Sequence, residues 1–308
     1  MTDSTVANAR RSIKAGSKSF GLAARLLPPA MSQDCVMLYA WCRHADDVID
    51  GQDAGFAGAG TDATPPAERL QALRDETHQA LAGGSATEVF AGLARVVSRH
   101  AIPHRHVDEM LDGFGMDVAG RRYETISDLL DYCYHVAGVV GVMMARIMGA
   151  TDPGTLDRAS DLGIAFQLTN IARDVIDDAR IGRVYLPRAL MRTQGLEGVD
   201  PDNRADRAAL HRCALHLLDL AEDYYRSAAV GVAALDRRPA FAIAAAQAIY
   251  REIGVILRRR GPDAWDRRIS TTTAGKLRLI AGAAPGTLLA LRRPVPRFDR
   301  SALFRRPG

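Results

Sequence analysis

Gln167-Leu168-Thr169-Asn170-Ile171-Ala172-Arg173-Asp174-Val175-Ile176-Asp177-Asp178 decides the fold. Gln167, Asn170, Asp174 and Asp178 recur at three- and four-residue steps, so they share one face of an α-helix. Ile164, Leu168, Ile171 and Val175 recur on other faces and read as core contacts. The spacing predicts a long helix opened by Pro153 and running to about Asp178, with Gly182 and Pro187 breaking the chain after it. A polar stripe on a core-packed helix is costly unless it lines a wet cavity or binds ions. Asp174 and Asp178 also sit at the helix's C-terminal end, where the macrodipole disfavours anions.

A second segment repeats this chemistry: Tyr39-Ala40-Trp41-Cys42-Arg43-His44-Ala45-Asp46-Asp47-Val48-Ile49-Asp50. Asp46 and Asp50 are four residues apart, an Arg precedes them by one turn, and the pair again falls near a predicted helix end. Acidic helix ends are common on solvated surfaces, and one such segment would decide nothing. Two matching segments point to two facing sites for hard cations, which take carboxylate oxygens together with substrate phosphates. Arg43 and Arg173 are placed to contact anionic oxygens.

Working outward, helical periodicity continues almost everywhere. Helices are expected over 33–49 (with Ser32 as N-cap), 67–81, 87–99, 104–118, 127–148, 205–232, 239–259 and 271–281. No alternating strand pattern and no solenoid-length repeat interrupts them. The expected fold is all-α: one helical domain over residues 1–291, with a mobile Gly/Ala/Pro-rich loop at 51–66, then a basic, flexible tail at 292–308. Gly55 to Gly60 is Gly-rich, but no strand precedes it, so it is not a dinucleotide fingerprint.

Composition narrows the function classes. The chain has 308 residues, 47% of them hydrophobic, ample for a sizeable core. Cys35, Cys42, Cys133 and Cys213 form no C-x-x-C pair and read as buried free thiols. The N-terminus has no apolar signal core, and the most apolar stretches, 139–145 and 241–249, are too short to span a bilayer. Six Arg and one Asp from residue 292 onward carry +5 of a net charge of +4, leaving −1 for the rest. No nucleic-acid motif accompanies that tail, so nucleic acid is not an expected partner. A solubilising end and a contact with anionic lipid both fit it.

The two Asp-rich segments, together with Gly182-Arg183-Val184-Tyr185-Leu186-Pro187, Val136-Ala137-Gly138-Val139-Val140-Gly141, Gly16-Ser17-Lys18-Ser19-Phe20 and Ala248-Ile249-Tyr250-Arg251-Glu252, resemble the squalene/phytoene synthase family. The similarity runs from about Ser12 to Leu279 and is nearest to the family's bacterial carotenoid branch. It implies an isoprenoid synthase-like helical bundle around a deep central cavity. The implied reaction is head-to-head condensation of two geranylgeranyl diphosphates to phytoene through prephytoene diphosphate. The implied cofactor is Mg²⁺, with Mn²⁺ as a substitute and no NADPH.

By the same resemblance Asp46, Asp50, Asn170, Asp174 and Asp178 hold the metal, with Asp47 and Asp177 next in line. Arg43, Gln167, Arg173, Arg183, Ser17, Ser19, Phe20 and Tyr250 contact substrate. Tyr39, Tyr132 and Tyr185 join Arg43, Arg173 and the four aspartates in catalysis. The helix around Val136 to Ala145 becomes a wall for isoprenoid tails. Squalene or dehydrosqualene synthesis from farnesyl diphosphate is the nearest alternative, and a non-catalytic helical assembly factor the alternative of a different class. A cytoplasmic protein touching the inner face of the cell membrane is expected.

Overall fold

The computed structural model describes residues 18–53, 56–57, 64–290 and 298–307, with side chains over 21–51, 64–283 and 298–307. Twelve α-helices lie among the described residues: α1 Lys18–Ala24, α2 Pro29–Asp50, α3 Pro66–Leu81, α4 Glu88–Arg99, α5 His104–Val118, α6 Ile126–Cys133, α7 Val139–Ile147, α8 Pro153–Arg180, α9 Arg188–Thr193, α10 Arg207–Val232, α11 Arg237–Arg260 and α12 Thr273–Ala290. The only strand pairing among them is a two-residue antiparallel ladder, Gln52 with Ala57 and Asp53 with Phe56.

The long helix read first, α8, is the axis of the molecule. It packs against α10, α7, α11 and the segment before α7. Asp152 caps its start through the Thr155 N–H, and Pro153 fills the first turn, where a missing N–H costs nothing. The buried residues Ile164, Leu168, Ile171 and Val175 are the predicted core positions. Helices α7 and α8 cross at glycines. A Cβ on Gly163 would lie 2.1 Å from the Ala137 carbonyl oxygen, and one on Gly141 would lie 2.2 Å from that of Ala159. Backbone contact this close is open only to residues without a side chain.

Four expectations need correction. Helix α2 begins at Pro29 rather than after a Ser32 cap, because Pro is favoured at the first helical position. The helix expected over 127–148 is broken by a π-helical turn, Tyr134–Gly138, in which the Val139 N–H reaches back to Tyr134 O. That widened turn packs against α5 at Gly113 and against α8 at Gly163. Helix α9 was not expected.

Finally, the flexible tail is not loose over 298–307: Leu303 is buried and Arg300 pairs with Asp157 and Asp161. Of the expected loop at 51–66, residues 54–55 and 58–63 lie outside the described residues, as do 291–297 of the tail. The stretch Arg237–Asp266, long and apolar enough for a membrane span, supplies cavity wall through Ala242, Ile243 and Ala246.

Candidate active site

Helix α2 carries Asp46 and Asp50 in its last turns. It stops at Gly51, whose φ of 62° permits the left-handed cap. Arg69 donates to the Ile49 carbonyl at 2.9 Å, so a cation satisfies the helix end that two carboxylates burden. Helix α8 ends likewise: Gly182, at φ 79°, turns the chain, and the Arg183 N–H closes on Asp178 O at 2.9 Å. That turn sends the Arg183 side chain across to Asp50, with which it forms an ion pair. Arg183 also favours the charged forms of Asp46, Asp117 and Asp178. The two Asp-rich helix ends therefore meet around one guanidinium.

One carboxylate on each helix end carries a proton more readily than an ordinary one. Burial, then the charge of Asp50, pushes Asp46 up to about 6 against the pull of Arg43. Burial, then the charge of Asp174, pushes Asp178 up to about 7. Asp46 keeps 44% of its side chain exposed, so crowding by Asp50 matters there beside partial desolvation. The arginines answer this repulsion. Arg43 donates to Asp46 at 2.9 Å and to Asp47 at 2.7 Å, and Arg173 Nε donates to Asp174 at 2.7 Å. Among the described residues, no three His, Cys, Asp or Glu side chains converge as a ready-made metal cage.

Two atoms show what this site still needs. Asn170 Oδ1 is a buried acceptor with no donor, and Arg43 Nε is a buried donor with no acceptor. A cation would serve the first and an anionic oxygen the second. The donors on offer, carboxylate and amide oxygens, are those hard divalent cations prefer, so the residues fit Mg²⁺.

Beyond the carboxylates lies a cavity of about 410 Å³. Tyr39, Arg43, Asp46, Tyr132, Gln167, Asn170 and Tyr250 line it, with Asp117. Its walls are otherwise mostly apolar, with Ala137, Val140, Gly141, Met144, Gly163 and Phe166 among them. The segment from Val136 to Ala145, expected to form a wall, thus lines this cavity. Asp50, Arg173, Asp174, Asp178, Arg183 and Tyr185 are not among its lining residues. Tyr185 reaches it by its hydrogen bond to Asp117, Asp50 and Arg183 by their charges beside Asp46 and Asp117, and Arg173 and Asp174 by theirs beside Tyr250. Cys35 and Cys42 also face it, as thiols that burial pushes up to about 12 and so leaves unreactive. All four cysteines are buried and free. Tyr250 stacks on Phe166 with ring centres 4.1 Å apart. Ser17 lies outside the described residues, as do the side chains of Ser19 and Phe20, whose backbone belongs to α1.

Sequence reasoning missed Asp117. It accepts from Tyr132 OH at 3.0 Å and from Tyr185 OH at 2.9 Å, and those rings stack with centres 5.0 Å apart. Burial raises its pKa despite Arg183 and the two phenols. The signal was available: a carboxylate between Met116 and Val118 at the end of α5 is penalised by the macrodipole as Asp46 and Asp178 are.

This geometry defines a site for molecules with an anionic head and a long apolar tail. Residues 13–274 match the squalene/phytoene synthase family, and the chain belongs to it. It is 49% identical to a 15-cis-phytoene synthase of Paracoccus sp. (strain N81106 / MBIC 01143), over 98% of both chains. It is 48% identical to a 15-cis-phytoene synthase of Pantoea ananas, over 91% of both. Among solved structures it resembles a dehydrosqualene synthase in complex with ligand, with a TM-score of 0.83 and 28% identity, covering 93% of this chain and 97% of the other.

Proposed function

We propose that this chain is a phytoene synthase: it condenses two geranylgeranyl diphosphates head to head, releasing diphosphate. The observation that carries this reading is the meeting of both Asp-rich helix ends around Arg183 at an apolar cavity, in a chain nearly half identical to phytoene synthases throughout its length. The first geranylgeranyl diphosphate ionises, and its allylic cation is attacked by the double bond of the second. Loss of a proton closes the cyclopropane of prephytoene diphosphate. A second ionisation, rearrangement and proton loss give phytoene, so each half-reaction releases one diphosphate and one proton.

The residues divide this work by their chemistry. Arg43, Arg173 and Arg183 hold the anionic heads, exchanging carboxylate partners for phosphate oxygens. Asp46, Asp50, Asn170, Asp174 and Asp178 would hold Mg²⁺. When bound, the metal neutralises the charge that develops on the leaving diphosphate. Tyr132 and Tyr185 are held well above the ordinary phenol range, chiefly by burial and then by Asp117. They therefore act as neutral phenols that donate hydrogen bonds and offer ring faces to a cation. The apolar walls keep water from the carbocations. Dehydrosqualene formation from farnesyl diphosphate is the second reading, and it rests on the resemblance to the solved dehydrosqualene synthase. We place the protein in the cytoplasm at the membrane surface because substrate and product are lipophilic; co-sedimentation with anionic liposomes tests this.

Metal dependence is tested by chelation, and pH gives it a signature. Without metal, Asp46 and Asp178 have folded-state pKa values of about 6 and about 7. Between about pH 4 and pH 7 the folded state thus binds more protons than the unfolded one. The stability these groups contribute is complete below about pH 4 and lost as pH rises through 6 and 7. In EDTA the Tm should fall across that window. Mg²⁺ should raise it, most at the upper end where protons no longer compete, and should restore product formation. A Tm indifferent to pH and Mg²⁺, with turnover that survives EDTA, would remove the metal from this reading.

A further inference from the structure

Away from the carboxylates, the cavity is lined by Thr155, Arg158, Ala159, Gly231, Val232 and Leu235. Helix α8 measures the distance. Asn170 and Thr155 both line the cavity, and their separation along the helix is ~22 Å at about 1.5 Å per residue. Arg158 is the one charged side chain of those six. Its stem is pressed against α10, where a Cβ on Gly231 would stand 2.7 Å from Arg158 Cβ. Its guanidinium donates to Ser227 Oγ at 3.1 Å, to Ser227 O at 3.2 Å and to Phe298 O at 3.2 Å. The apolar stem is thus left to line the wall while the charge finds oxygens.

The C-terminal segment that supplies the Phe298 carbonyl is itself fastened. Arg300 donates to buried Asp161 at 3.0 and 3.2 Å and to Asp157 at 3.1 Å, and Arg306 donates to Asp157 at 2.5 Å. Ser227 Oγ donates to the same Asp161 at 2.5 Å, which links both holders of Arg158. Phe304 packs on Tyr134 with ring centres 5.5 Å apart, and its N–H donates to Tyr224 OH at 3.0 Å.

We propose that Arg158, held by residues 298–307, is a specificity-determining residue: its stem closes the far end of the cavity and limits how long a prenyl tail is accepted. The proposal rests on the reading of the substrate as a prenyl diphosphate. Tail length along a tunnel is discriminated by whatever blocks its end, and each excess carbon forces either a clash or a shift of packed walls. Arg158 cannot yield easily, because moving its stem would pull the guanidinium from three acceptors in a half-buried setting.

The test is competition between geranylgeranyl diphosphate and its twenty-five-carbon homologue, with products resolved by mass. Arg158→Ala should raise the kcat/KM ratio of longer to shorter substrate about tenfold or more. Arg158→Lys keeps the stem and a cation for the same oxygens, and should keep the wild-type ratio. An unchanged ratio in folded Arg158→Ala, or an equal rise in both variants, overturns the proposal. Should Arg158→Ala lose its cooperative melt, Leu235→Ala opens the same end: a raised ratio there sustains the stop, and an unchanged one overturns it. A wild-type chain that turns over neither diphosphate overturns the functional reading itself, a result distinct from an active enzyme with unaltered preference.

Discussion

Asp174→Asn is expected to lower kcat at least about a thousandfold, equivalent to about 4 kcal/mol of lost transition-state stabilisation. Asp46→Asn should do the same from the other helix. Either substitution keeps the side chain's shape and removes its charge, so the fold should persist. The reason lies in the balance of charges. Asp174 is the partner of Arg173 and the largest electrostatic contributor to the raised pKa of Asp178. Removing its charge takes away one anionic oxygen donor for a cation and leaves Arg173 without its hydrogen-bonded counter-charge. It should also let Asp178 ionise at lower pH, so whatever rate remains should depend on pH with its acidic limb moved downward. A rate within tenfold of wild type in folded protein would contradict the assignment of these carboxylates.

The second large effect concerns the frame. Gly163→Val should destabilise the fold by about 3 kcal/mol, and urea unfolding measures it. Its first side-chain carbon would meet the Ala137 carbonyl oxygen at 2.1 Å, and that oxygen belongs to the π-helical turn, whose backbone is held by its own hydrogen bonds. No flexible side-chain end is there to swing away. The helices must separate, and because both line the cavity, tail binding should suffer as well. Gly198→Ala, which meets nothing within 4 Å, is the control and should change stability by less than about 0.5 kcal/mol. Equal stability in both variants would show that the packing of α8 on the π-helical turn is looser than described.

How much of this was legible in the sequence depends on the range of the interaction concerned. The stripe of Gln167, Asn170 and Asp174 fixed α8 because helical periodicity is a local property, and the charged helix ends gave the site for the same reason. The π-helical turn was not legible, since the apolar periodicity of residues 127–148 runs through Tyr134 to Gly138 without a break. Its widening falls where α5 and α8 press against it, a tertiary matter. Asp117 was legible in principle by the helix-end argument, but its role as acceptor for two phenols depends on Tyr185, 68 residues away. The docked C-terminus was the least legible. An Arg-rich, Pro-containing end reads as a solvated tail, and nothing local shows that Arg300 meets Asp161, 139 residues earlier. With Arg300 and Arg306 neutralised by Asp157 and Asp161, lipid attraction by this end loses part of the charge on which it depended.

The central claim is the reaction itself, and product identity tests it most directly. The purified chain is incubated with Mg²⁺ and labelled geranylgeranyl diphosphate, or with farnesyl diphosphate, without NADPH, and the extracted lipid is identified. The account predicts phytoene from the longer substrate. Dehydrosqualene from farnesyl diphosphate with no phytoene from geranylgeranyl diphosphate would contradict it, as would folded protein that makes neither product.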